Sequence, residues 1–137
     1  MKFPIRLITT TAALFALTGA GLAHAEATSA EFQSPSGNVE CIVGNTGAAC
    51  EIANHDYISP ARPAECHLAY GDRVSLDASG ARFNCHGDRL VGPTAVILPY
   101  GASITEGPVT CLSTVDYVQC TGYGHMFRLS RQAYDIG

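Results

Sequence analysis

The sequence predicts an all-β domain: a small disulfide-stapled sandwich or partly open barrel of β-hairpins, behind an N-terminal signal peptide. Three observations carry that expectation. Apolar and polar residues alternate with a period of two over short segments, separated by turns rich in Gly, Pro, Asn and Ser. No segment after the leader sustains helical periodicity. Six cysteines lie between positions 41 and 120, four of them in two copies of a C-x8-C spacing. In a short exported chain an even cysteine count reads as a disulfide framework.

Export is read from the start of the chain. Lys2 and Arg6 give a positive beginning, residues 7–22 are apolar apart from threonines and glycines, and Ala23-His24-Ala25 forms an A-x-A cleavage site. The chain then divides into a cleaved signal peptide (1–25), a flexible start (26–31) and a single disulfide-rich β domain (32–137). The apolar stretch is shorter and more polar than the roughly 20 residues a spanning helix needs. No membrane span is expected after cleavage, and the mature protein is placed outside the cytoplasm, secreted or in the cell-wall space. The mature portion keeps six arginines, no lysine and twelve acidic residues, a formal charge of −6. That balance argues against nucleic acid or an anionic membrane as partner.

The elements follow in order. A hairpin centred on Asn45-Thr46 pairs Val43 with Ala48, Cys41 with Cys50 and Val39 with Ile52 on one face, leaving Glu40, Glu51 and Ile42 on the other. A two-residue loop puts the cysteines at a non-hydrogen-bonded pair, with Cα atoms about 4.5 Å apart, close enough for a disulfide. A second hairpin spans 73–84 around Asp77-Ala78-Ser79-Gly80. It pairs Val74 with Phe83 and Leu76 with Ala81 and turns Arg73, Arg82 and Asn84 outward. Residues 95–98 read as a buried strand closed by the turn Pro99-Tyr100-Gly101. The second C-x8-C hairpin, centred on Val115-Asp116, pairs Cys111 with Cys120 and, on the opposite face, Thr110 with Thr121. Residues 126–129 read as a strand with Phe127 and Leu129 inward and Arg128 outward, and Ser130 as the cap of one helical turn through Tyr134. The expected bonds are Cys41–Cys50, Cys66–Cys85 and Cys111–Cys120. Outside their cysteines the two C-x8-C hairpins differ in sequence, which favours convergence over duplication.

Two end motifs carry a resemblance. The opening Phe32-Gln33-Ser34-Pro35-Ser36-Gly37-Asn38-Val39-Glu40-Cys41 fits F-x-[ST]-P-S-G-N-[IV]-x-C. The closing segment, from Gly122 through Phe127-Arg128-Leu129-Ser130-Arg131 to Tyr134, fits a Gly-rich step followed by F-x-L-S-R-x-x-Y. The chain thereby resembles a family of small secreted proteins of unknown function from actinobacteria, mycobacteria among them. The resemblance implies export, disulfides and compactness, and no activity. Members commonly run from glycine straight into the phenylalanine. Here His125-Met126 intervene, which leaves the register of the last strand open. Ser34–Asn38 also makes sense alone as a turn feeding the first hairpin. Phe32 and Phe127 read as core plugs.

Candidate chemistry is sparse. Cys66-His67 and Cys85-His86 invite a zinc reading, but exported cysteines are oxidised and lack the usual ligand spacing. A softer version has His67 and His86 share an ion across the bond; no metal and no cofactor is the expectation. No G-x-S-x-G or H-E-x-x-H motif occurs, and no catalytic residue is assigned. Glu40 opposite Glu51 would repel unless screened, or could form a cation or acid–base site. Arg131 and Tyr134 suit a C-terminus docked through guanidinium–carbonyl bonds; a binding alternative has His125, Arg128, Arg131 and Tyr134 lining a ligand groove. The reading is a secreted noncatalytic binding module of the bacterial envelope or host interface, its partner an unidentified protein or envelope component. The alternatives are a structural envelope component, or a small envelope hydrolase using His55, His86 or His125 as base.

Overall fold

The computed structural model describes residues 29–137, so the leader and residues 26–28 lie outside the described residues. Eleven strands are described: β1 (Ser29–Gln33), β2 (Val39–Gly44), β3 (Gly47–Ile52), β4 (Arg73–Asp77), β5 (Gly80–Phe83), β6 (Val96–Ile97), β7 (Ser103–Glu106), β8 (Val109–Ser113), β9 (Val118–Gly122), β10 (His125–Leu129) and β11 (Tyr134–Ile136). They form two sheets, ordered β5-β4-β3-β2-β1-β6 and β11-β10-β9-β8-β7. These pack face to face: β10 lies over β4 and β5, and β8 over β2 and β3. The architecture is a sandwich with two separate sheets, not a barrel.

Both sheets follow one plan. Each is a five-stranded antiparallel meander with a disulfide joining its second and third strands, and the first carries β6 as an added parallel edge beside β1. In the first sheet, a row of directly paired residues runs Phe32–Cys41–Cys50–Val74–Phe83. In the second, the row runs Ile104–Cys111–Cys120–Phe127–Ile136. The rows meet at the centre, where Cys50 Sγ and Cys120 Sγ are 3.7 Å apart. Neither sulfur carries a proton, so this is a packing contact. Around it Phe32, Val43, Val74, Val109, Phe127 and Leu129 are fully buried.

The sulfurs pair as Cys41–Cys50, Cys66–Cys85 and Cys111–Cys120, and no described cysteine is free. The two central bonds span Cα separations of 4.1 Å, slightly closer than the pairing geometry alone suggests. The third spans 5.7 Å and ties the long 53–72 connection to the end of β5, beside a backbone bridge between Ala69 and His86.

The open register of the closing strand is settled by a two-residue turn. Tyr123 and Gly124 both take positive φ (54° and 77°), the geometry of a tight β-hairpin. His125 therefore pairs with Gly122, and Phe127 lands opposite Cys120 on the core face. A tyrosine is unusual in that conformation; its hydroxyl donates to the Asn45 carbonyl at 2.6 Å, tying this turn to the β2–β3 turn.

Three expectations need correction. Residues 95–98 are not a buried strand: Val96 and Ile97 are 58% and 60% exposed on a sheet edge, and only Leu98 is buried. Ser130 starts no helix. Its hydroxyl accepts from Ala133 N–H, closing a turn into β11, an extra strand that pairs with β10. Within the 26–31 segment read as a flexible start, Ser29, Ala30 and Glu31 already pair with β2. Arg73 does lie on the outer face of its hairpin, but its side chain is only 14% exposed because a later segment covers it.

Two measurements check this fold. Nonreducing peptide mapping should return only the three bonds above, and replacing Cys41 and Cys50 together by alanine should cost about 2–4 kcal/mol in denaturant unfolding. The β4–β5 turn carries a pH signature. Bonds from Arg82 (2.7 Å), then from Ser79 N–H (2.8 Å), lower the Asp77 carboxyl to about 2. A folded-state value below the unfolded one contributes stability that is complete above about pH 4 and is lost as pH falls toward 2. Wild type should therefore exceed Asp77→Asn in melting temperature at neutral pH, and that margin should close over this window.

Candidate functional site

Two polar concavities lie back to back at one end of the sandwich. The larger is a cleft of about 550 Å³ between the sheets. Its walls are turns, and a hydroxyl on the first residue fixes three of them. In the 34–38 turn, Val39 N–H donates to Ser34 Oγ (3.1 Å) and Gly37 N–H to the Ser34 carbonyl (2.8 Å). In the β8–β9 turn, Tyr117 N–H and Asp116 N–H donate to Thr114 Oγ1 at 2.9 and 3.2 Å. In the β10–β11 turn, Ala133 N–H donates to Ser130 Oγ at 3.1 Å. These are local side-chain-to-backbone bonds typical of Ser and Thr at turn entry.

The remaining wall comes from the segment after β3. The Asn38 side chain clasps it: Nδ2 donates to the Asn54 carbonyl (2.9 Å), and Oδ1 accepts from Asn54 N–H (2.8 Å). Val39, Val118 and Leu129 form an apolar floor. Above it, Asn54, Tyr100, Asp116, Arg131 and Gln132 line the cleft. Among the described residues, none of these five side chains makes an internal hydrogen bond or ion pair. They are free to meet a ligand. No histidine lines the cleft.

The smaller recess, of about 350 Å³, lies on the outer face of the first sheet and is lined by Glu40, Glu51, Asp72 and Arg89, among others. Glu40 and Glu51 are directly paired across β2 and β3, as the hairpin pattern requires. Their repulsion is relieved by a strap, residues 85–92, that crosses the sheet from β5 toward β6. Its Arg89 makes a two-pronged bond to Glu40. Its Leu90 N–H donates to Glu51 Oε2 at 3.3 Å, and its Gly92 N–H to Glu31 at 3.0 Å. His86 Nε2 lies 2.6 Å from Asp72 Oδ1 and 3.3 Å from Glu51 Oε1. Arg73 adds a 3.3 Å contact to Glu51 Oε2 and donates to the Asp88 carbonyl.

The four residues of the sequence-derived binding set fall in different places. Arg131 lines the cleft, but its carbonyl does the docking, accepting from Asp56 N–H at 2.7 Å, while its guanidinium stays free. Arg128 stacks on the ring of Tyr117, 4.6 Å from its centroid, and donates to Gln119. Tyr134 packs edge-on against Tyr57 and Phe83. His125 sits at the opposite end of β10, at the turn with Gly122.

The other histidines are also separated. His67 is exposed and does not share a ligand group with His86. His55 stacks on Tyr57 at 3.8 Å. Burial, reinforced by Asp72 and Tyr134, holds the Tyr57 phenol above its ordinary range, and its hydroxyl donates to the Gly71 carbonyl.

Sequence reasoning missed Asn54, Tyr100, Asp116 and Gln132, which are remote from one another in the chain. The signals available were the S-P-S-G-N turn and the glycine-free Thr114-Val115-Asp116-Tyr117 turn, read only as connections. Asp72 was missed because nothing local marks it as a neighbour of His86.

No curated protein and no solved structure matches the chain. Residues 10–135 match the family described as Family of unknown function (DUF6636). The match spans both concavities and all three disulfides, and the chain therefore belongs to that family.

Proposed function

We propose that the domain is a secreted, noncatalytic binding module of the bacterial envelope, and that the inter-sheet cleft is its ligand site. The observation that carries this reading is a concavity with fixed walls and uncommitted side chains. Three turns are locked by their own hydroxyls, while Asn54, Tyr100, Asp116, Arg131 and Gln132 face the space between them. Loops held by a rigid sandwich are the usual place for recognition, and a wall already ordered loses little entropy on binding.

The lining also indicates the ligand. Amide side chains and hydroxyls bond to hydroxyl groups, tyrosine rings cover an apolar ring face, and one free guanidinium suits a carboxylate. An envelope saccharide bearing acidic groups fits that set. Three disulfides agree with an oxidising compartment. Among the described residues no helix is long and apolar enough to cross a membrane.

The hydrolase reading has one specific observation in its favour, His86 beside two carboxylates. Catalysis there would need a nucleophile in reach of the ring. Among the described residues no hydroxyl or thiol bonds to either nitrogen, and Cys85 is held in a disulfide.

The binding reading is tested by titrating acidic and neutral cell-wall saccharides into labelled protein and following amide resonances. Shifts should cluster at residues 36–38, 53–54, 100, 114–117 and 130–132. Arg131→Ala and Tyr100→Ala, both at exposed positions, should each weaken binding about tenfold, or ~1.4 kcal/mol. Turnover of any of these saccharides, or shifts confined to the recess around His86, would reject the cleft as a noncatalytic site.

A further inference from the structure

We propose that Glu51, Asp72 and His86 form a site for a first-row divalent transition-metal ion, Zn²⁺ foremost. The site is separate from the cleft. Glu51 Oε1, Asp72 Oδ1 and His86 Nε2 converge, each within 4.8 Å of the other two. With Nε2 deprotonated, the three atoms are electron-pair donors aimed at one point, where a cation would satisfy them together. One imidazole nitrogen with two carboxylate oxygens is a donor set suited to Zn²⁺ and its neighbours.

The surroundings orient each donor. The second oxygen of Glu51 is held by Arg73 Nη2 and by Leu90 N–H, both at 3.3 Å, which leaves Oε1 turned toward His86. Such outer contacts fix a carboxylate ligand in place. The His86 backbone pairs on both sides with Ala69, at 2.9 and 3.0 Å, next to the Cys66–Cys85 bond. The Asp72 carbonyl accepts from Ile52 N–H at 2.9 Å, which sets this residue beside β3. His86 has only 8% of its side chain exposed, and its Nδ1 has no partner among the described residues. Nε2 is therefore the nitrogen the fold presents to the carboxylates.

Access and room exist as well. Glu51 and Asp72 both line the recess, so the side of the ion away from the protein would face space for water or an external oxygen ligand. The donor separations suit the task. Bonds of about 2.0 Å in tetrahedral geometry put ligand atoms about 3.3 Å apart, and the Glu51 and His86 atoms are 3.3 Å apart. The Asp72 oxygen, at 2.6 Å, must move outward by about 0.7 Å to reach that separation. Its side chain is 30% exposed and can do so.

Arg89 offsets Glu40 and Arg73 offsets Glu51 in part, which leaves Asp72 as the carboxylate of the cluster with no arginine partner. A proton on Nε2 is the competing occupant, and it would leave the cluster joined by ordinary hydrogen bonds. A metal additionally fastens the strap to β3 and β4 through atoms that are otherwise joined only by hydrogen bonds.

The test uses the mature protein with its disulfides intact, freed of metal by chelator, and Zn²⁺ alone as probe. Calorimetry should show one equivalent bound, and the His86 Nε2 resonance should move on addition. Asp72→Asn, Glu51→Gln and His86→Ala should each weaken binding at least tenfold, whereas His67→Ala and His125→Ala should leave it unchanged. Asp72→Asn is the decisive variant, because its carboxylate bonds only to His86 and the change is isosteric; unaltered metal-free melting shows that it folds. No binding to wild type, undiminished affinity in Asp72→Asn, or loss in His67→Ala or His125→Ala would overturn the site, leaving a salt bridge or adventitious binding at exposed histidines.

Discussion

The structure depends on two disulfides pressed together. Cys41–Cys50 and Cys111–Cys120 each lock a hairpin at its second and third strands, and their inner sulfurs meet 3.7 Å apart at the centre of the sandwich. A strand that slips by one residue turns its apolar set to solvent; these bonds forbid that slip in both sheets at once. Because the sulfurs are compact, the bulk of the core is supplied beside them, by Phe32 next to Cys41 and Phe127 next to Cys120. Register, inter-sheet contact and core packing are therefore one constraint seen from three sides. The shared five-strand plan of the two sheets makes this arrangement nearly symmetric, although the sequences outside the cysteines differ.

A second constraint is electrostatic. Glu31, Glu40 and Glu51 lie on adjacent strands and face outward on the first sheet, where like charges destabilise one another. The strap between β5 and β6 passes over them in turn and supplies a partner to each: Leu90 N–H and His86 to Glu51, Arg89 to Glu40, Gly92 N–H to Glu31. The solvent-facing pair among them, Arg89 with Glu40, contributes little to stability on its own. The larger effect of these contacts is positional, since they fix the course of a segment whose only backbone bridge is at its start, between His86 and Ala69. That course carries the chain to the far edge of the sheet, where β6 pairs parallel to β1.

What could be read from the residues follows from range. The hairpins were legible because alternation, turn chemistry and cysteine spacing all act within about a dozen residues, and they agree on one register for each pair. Residues 95–98 misled because four consecutive apolar residues look the same in a core and at an edge; Val96 and Ile97 pair with β1 through backbone alone and leave their side chains outside. Ser130 misled because a serine that can cap a helix closes a turn with the same hydroxyl. The cleft was not legible at all. Its walls come from positions 34–38, 53–54, 100, 114–117 and 130–132, and only the packing of the two sheets brings them together.

The division of labour among these residues explains why so little chemistry is visible in the chain. A turn usually needs its polar side chains to satisfy its own backbone. Here the entry hydroxyls of Ser34, Thr114 and Ser130, with Ser36 beside the first, do that work, and Asn38 clasps the fourth wall. The neighbouring Asp116, Arg131, Gln132 and Asn54 are thereby released from structural duty. Gly37, Asn38 and Ala53 line the cleft on one side and the acidic recess on the other, so a single clasp between two loops shapes both. The walls take their rigidity from bonds within and between the turns, and the side chains of Asp116, Arg131, Gln132 and Asn54 stand outside that bonding.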